Sequence, residues 1–277
     1  MADMLAYEFF RNALLGGLLV SILCAMVGTY VVTRRMVIVG GGMAHASLGG
    51  VGLGAYLGFS PLLGAALFAV FSGYSIDFLS RRNVREDAAI AMLWTLGMSL
   101  GILFAYLTPG FMTDLPSYLF GNILFITRED LWLLLLLVVA VGLFFGLLLT
   151  PIVTIAYDRD FAVTQGLPVR WIEALMILFM ALPLVVSLRM VGIVLVISLL
   201  SVPQQTAAIF CRTFRSMMLC AGLFAFSGIV CGLWGAALQN LPGGACITVC
   251  MILQYGLCRF IKAIKTRKIK KVQEVTS

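Results

Sequence analysis

The chain has 277 residues and a single histidine, His45. Neutral imidazole is the commonest side-chain metal ligand and titrates near neutral pH, so His45 is the first residue whose type can do chemistry. It lies in residues 38–58, which hold eight glycines. Gly42, Ala46, Gly50, Gly54 and Gly58 recur every four residues, and on a helix they form one stripe of small side chains. Such stripes let helix backbones approach closely within a membrane. His45 falls on the adjacent row with Gly41 and Gly49, bordering that seam. Two readings stand: a histidine hydrogen-bonded across helices, and a ligand in a polar path, because an ionisable group inside a span is a functional candidate by default. A membrane-embedded enzyme is poorly served by one histidine with no carboxylate beside it.

The elements that carry His45 must be membrane helices. Hydrophobic residues make up 62% of the chain and charged residues 11%, with mean hydropathy +1.08; a soluble domain carries about 25% charge. Positions 88–113, 131–157, 190–211 and 216–258 contain no Asp, Glu, Lys or Arg, and a span needs roughly 20 apolar residues. The pattern predicts an all-α polytopic integral membrane protein, a single domain over 1–277, with nine spans near 12–33, 36–57, 61–79, 88–107, 131–151, 171–187, 190–210, 216–237 and 244–263. Eight is the alternative, because 171–210 is punctuated only by Ser187-Leu188-Arg189. Met1–Phe10, with Asp3 and Glu8 and no basic n-region, does not read as a cleavable signal.

Charge distribution orients the spans. The net charge is +7, but basic residues sit in short clusters between apolar runs, which argues against nucleic-acid binding. Arg34 and Arg35, Arg81, Arg82 and Arg85, Arg159 and Arg170, Arg212 and Arg215, and Lys262 through Lys271 follow the odd-numbered spans; Arg128 and Arg189 are the exceptions. The positive-inside rule then places the N-terminus outside and the C-terminus, with a basic tail over 264–277, in the cytoplasm. The longest inner connection, 157–170, mixes charges with helix formers and closes on Gly166-Leu167-Pro168. It reads as a short amphipathic helix with a glycine cap. Seven cysteines suggest helix packing, although Cys246 and Cys250 share a helix face. Asp77 reads as interfacial, Asp114 as an outer-loop residue, and Met36, Met43, Met92, Met98, Met176 and Met180 as packing. Gln204 and Gln205 follow Pro203 and can satisfy carbonyls that the proline frees. No Gly-rich loop ending in Lys-Ser/Thr is present, so any ATP must be bound by another chain.

Arg34-Arg35-Met36 followed by Gly40 through Gly54, with Met43-Ala44-His45-Ala46, resembles the second-helix motif of the zinc/manganese/iron permeases of ATP-binding cassette importers. Glu86-Asp87-Ala88-Ala89-Ile90, Asp158 to Pro168, Ser201-Val202-Pro203-Gln204-Gln205-Thr206 and Leu241-Pro242-Gly243-Gly244 fit in the family's order. The resemblance implies a homodimer with a translocation path for a divalent metal, two cytoplasmic ATPase subunits, an extracytoplasmic metal-binding protein, and no cofactor held by this chain. It places His45 in the metal path and puts Asp158, Phe161, Ala162, Gly166 and Pro168 in the segment that docks on the ATPase. The family's aspartate four residues before the histidine is Gly41 here, and its Leu-Pro-Gly reads Leu48-Gly49-Gly50. Losing that carboxylate moves the site toward zinc, which accepts imidazole, and away from oxygen-loving manganese. A permease for an iron chelate or corrinoid is the alternative, and an ion-driven carrier a more distant one, since carboxylates within spans are nearly absent.

Overall fold

The computed structural model describes residues 8–110, 121, 126–239 and 241–276. Asp114 and most of the 108–128 connection lie outside them. Helices α1 (Glu8–Thr33), α2 (Val37–Leu57), α3 (Pro61–Arg81), α4 (Glu86–Leu107), α5 (Arg128–Tyr157), the short α6 (Arg159–Thr164), α7 (Val169–Ala208), α8 (Phe214–Gln239) and α9 (Gly243–Thr276) follow in order. Among the described residues nine segments are long and apolar enough to cross a membrane, α7 supplying two, Val169–Leu188 and Val191–Ala208. The protein is thus a polytopic all-α membrane protein.

The break inside α7 falls at Gly192, not at the expected Ser187-Leu188-Arg189. Gly192 has φ 77 and ψ 160, a conformation open essentially only to glycine. Polar residues in a span can stay helical, and only this left-handed residue turns the chain. Gly121, from the connection between α4 and α5, seats its α-carbon against this break: a Cβ there would stand 2.2 Å from the Gly192 nitrogen.

Burial is unequal. In α2, 78% of the most apolar window is buried, whereas α9 buries 11% of its own. α1 and both halves of α7 form the remaining centre, with Tyr30, Leu23, Met176, Met180, Leu184 and Ile193 fully enclosed. α3 and α4 flank α2. Bilayer tails are as apolar as the helices, so area burial gives little reason to associate; close van der Waals contact supplies it instead. The glycines permit that contact. A Cβ on Gly50 would lie 2.0 Å from the Gly64 carbonyl oxygen, and one on Gly64 2.1 Å from that of Gly50. On the other flank, Cβ atoms on Gly97 and Gly101 would lie 2.5 and 2.6 Å from the carbonyls of Ala46 and Leu48.

The expected stripe therefore divides. Gly42 meets Ile90 of α4, Ala46 meets Gly97, Gly50 meets Gly64, and Gly54 meets Pro61 at the start of α3. Gly58 keeps the spacing but not the contact. It caps α2 in the left-handed conformation, φ 76, with its N–H bonded back to Ala55, and a Cβ on it would meet nothing within 4 Å. The helix ends before the stripe does.

These contacts predict that Gly64→Ala destabilises the protein by about 1–3 kcal/mol, the range for overpacking a close contact. Gly146→Ala in α5, where a Cβ meets nothing within 4 Å, should leave the thermal midpoint unchanged or raised. Unfolding in detergent followed by tryptophan emission compares the two; equal midpoints would show that the α2–α3 approach is not constraining.

Candidate functional site

His45 projects from the middle of α2 toward α4. Its ring lies parallel to the indole of Trp94, with centroids 4.3 Å apart and an interplanar angle of 6°. Trp94 in turn donates its indole N–H to the Met98 sulfur at 2.9 Å. The Nδ1 of His45 is buried and has no hydrogen-bond partner. One turn earlier, a Cβ on Gly41 would be 3.7 Å from Ile197 of α7, so the position where a carboxylate was expected faces the second half of that helix. Among the described residues no three His, Cys, Asp or Glu side chains converge as a metal cluster.

At one end of the bundle the residues that follow odd-numbered spans come together. Glu173, in the first turns of α7, has a side chain only 10% exposed. Arg34 from the end of α1 reaches it at 3.1 Å, Arg81 from the end of α3 at 3.2 Å, and Arg159 from the start of α6 at 2.9 Å. Arg34 also donates to the Ile155 carbonyl at the end of α5, 3.3 Å, and Arg81 pairs with Asp77 at 2.8 Å. One carboxylate thus ties four helices, α1, α3, α6 and α7, and Arg34 links the end of α5 to the same junction. A nearly buried carboxylate is retained only when paired, and three guanidiniums satisfy this one. At the opposite end Arg128, an exception in the charge pattern, pairs with Glu8 at 2.6 Å.

The connection 157–170 forms α6. The Asp158 carboxylate accepts from the Phe161 N–H at 2.9 Å and caps it. Gly166, φ 72, ends the turn, its N–H bonding to Val163 at 3.0 Å and that of Leu167 to Ala162 at 3.2 Å. That pair of bonds is the Schellman arrangement. Ala162 is fully buried, whereas Phe161 and Val163 are exposed, as is Trp171 beyond the cap. Pro168 forms the N-cap of α7. Two apolar side chains on a six-residue helix therefore project from the end of the molecule that Arg159 ties to Glu173.

Deeper in α7, the Gln204 amide donates to the Leu199 carbonyl at 3.1 Å, the acceptor that Pro203 leaves without its helical donor, and to Cys24 of α1 at 2.7 Å. Gln205 is exposed. Glu173 and Trp94 are the residues sequence reasoning missed. A lone carboxylate at the start of a span and Gly97-x-x-x-Gly101 beside Trp94 were the available signals.

The described residues thus form a polytopic membrane bundle with a lone imidazole in a glycine-packed seam and a short, partly exposed helix at its basic end. Residues 6–262 match the ABC 3 transport family, and the chain belongs to that family. It is 37% identical, over 92% of its length and 91% of the relative's, to an uncharacterized membrane protein of Synechocystis sp.. It is 31% identical, over 93% and 89%, to the manganese transport system membrane protein MntC of Halalkalibacterium halodurans. The fold superposes on PsaBC from Streptococcus pneumoniae in complex with Fab, with TM-score 0.84, 25% identity and 93% of each chain covered.

Glu173→Ala should lower stability by about 2–3 kcal/mol. Removing one partner of a fully buried pair costs about 3–5 kcal/mol, and Arg34 and Arg81 retain solvent contact. Glu173→Asp should recover part of the loss. A thermal midpoint unmoved by Glu173→Ala would show that the carboxylate does not hold the helix ends.

Proposed function

We propose that this chain is the membrane permease of an ATP-binding cassette importer that carries a divalent transition metal into the cytoplasm. The observation that carries the reading is near full-length similarity to a manganese transport system membrane protein, joined to a seam that holds the chain's single histidine, His45, against Trp94. In this reading ATP is hydrolysed on a separate cytoplasmic subunit, an extracytoplasmic binding protein delivers the metal, and the protein sits in the cell membrane with its N-terminus outside. Clustering of Arg34, Arg81 and Arg159 around Glu173 supports that orientation, since the positive-inside rule assigns such an end to the cytoplasm.

Two copies related by a two-fold axis supply two copies of His45. Two neutral imidazoles coordinate a divalent ion incompletely, leaving water or backbone carbonyls to complete the shell. Weak coordination suits a conduit, because an ion held tightly does not leave. The imidazole-only donor set favours zinc, and the relative's name points to manganese; uptake of both ions by the assembled complex in liposomes separates them.

His45→Ala should abolish or strongly reduce radiolabelled zinc and manganese uptake while leaving dimer assembly and ATPase docking intact. Uptake at the wild-type level would remove His45 from the path.

Asp158, Phe161, Ala162, Gly166 and Pro168 build the ATPase-docking element in this reading, supported by the exposed Phe161 beside a buried Ala162. A Cβ on Gly166 meets nothing within 4 Å, so substitution acts through the backbone alone. Left-handed backbone costs most residues about 1–2 kcal/mol, and asparagine tolerates it. Gly166→Asn should therefore keep coupled ATP hydrolysis, and Gly166→Val should lose it or lose ATPase association. Normal coupling in Gly166→Val would place docking elsewhere. A cysteine introduced at Thr164 should react with a membrane-impermeant reagent only after cells are lysed; labelling of intact cells would invert the topology.

A further inference from the structure

We propose that Trp94 is the positioning residue for the metal-ligating imidazole, holding the His45 ring by its π-face rather than through a hydrogen bond. This inference rests on the reading of His45 as a ligand in the path. A ligating histidine ordinarily fixes its ring by donating its second nitrogen to a carboxylate, a carbonyl or water, and loss of that partner typically costs 10–100-fold in metal affinity. Here Nδ1 is buried without a partner. The ring nevertheless needs a fixed plane, because both χ1 and χ2 of histidine rotate and the neighbouring Gly41 and Gly49 offer no side chain against it.

The indole supplies that plane. It lies 4.3 Å from the imidazole centroid and only 6° from parallel. The indole is itself anchored by its N–H on the Met98 sulfur, one turn along α4. Its backbone is locked to α2 by Gly97, whose Cβ position abuts the Ala46 carbonyl, the residue next to His45. Trp94, Met98 and Gly97 thus present one rigid face of α4 to the imidazole. The seam sets the separation of the two helices, and the stack sets the direction of the nitrogen lone pair. A planar aromatic is required for this task and a polar group is not.

The test uses the complete transporter complex in liposomes, with zinc and manganese ions as probes. Trp94→Phe keeps an aromatic face and should hold the half-saturating metal concentration within about twofold of wild type. Trp94→Leu removes the face and should raise it about tenfold, with complex assembly and basal ATP hydrolysis unchanged. In a His45→Ala background, Trp94→Leu should add no further loss, since it acts through the imidazole. A second measurement needs no substitution at Trp94. With Trp132, Trp171 and Trp234 replaced by Phe, bound paramagnetic manganese should quench Trp94 emission, and His45→Ala should abolish the quenching.

Equal losses in Trp94→Phe and Trp94→Leu would overturn the proposal, as would an unchanged Trp94→Leu, an additive loss in the His45→Ala background, or no manganese quenching at Trp94. If His45→Ala itself transports normally, the ligand reading fails first. If His45→Ala is inactive while Trp94→Leu is normal, only the present inference fails.

Discussion

Gly50 and Gly64 stand backbone to backbone, each occupying the space where the other's Cβ would be. The membrane interior makes this contact necessary. Lipid solvates leucine as well as a neighbouring helix does, so helices that must hold a fixed separation do it by contact distance. α2 is gripped on both flanks, by Gly64 of α3 and by Gly97 and Gly101 of α4. His45 is placed by these contacts before any of its own bonds are considered. A helix with ordinary side chains at those positions would stand farther from α4, and the imidazole would lose the indole it lies against.

Electrostatics fastens the bundle at one end in a different way. Glu173 gathers guanidiniums from α1, α3 and α6, so three basic helix ends converge on one acid at the start of α7. Desolvating an ion pair offsets much of its attraction, so the net stability from such a junction is smaller than the loss on removing one partner. It also makes α6 a continuation of the bundle: Arg159 leads directly from the exposed Phe161 turn to the buried carboxylate of α7.

Much of this was legible in the sequence because a bilayer simplifies the code. Span existence follows from length and hydropathy, and the predicted 36–57 and 61–79 differ from Val37–Leu57 and Pro61–Arg81 by two residues at most. The glycine cap at Gly166 and the role of Gln204 were readable because each answers a local backbone need, a left-handed residue and a freed carbonyl. The exact turn in α7 was not, since polarity at Ser187 and Arg189 is a weaker determinant than the dihedral freedom of Gly192. Gly58 fitted the period and failed the contact because periodicity does not say where a helix stops. Trp94 and Glu173 were hidden for one reason: their meaning lies in partners 49 and 139 positions away in the chain, which pattern alone does not pair.

The left-handed turn at Gly192 joins the two halves of α7 into a jointed rod. Its first half begins near Glu173, bolted to three other helices; its second half carries Ile197, facing Gly41 beneath His45. Gly121 leans on the joint from the α4–α5 connection with no room for even a methyl group. Gly121 thus abuts the elbow of a rod whose two arms lead separately to the level of the imidazole and to the arginine-bound Glu173.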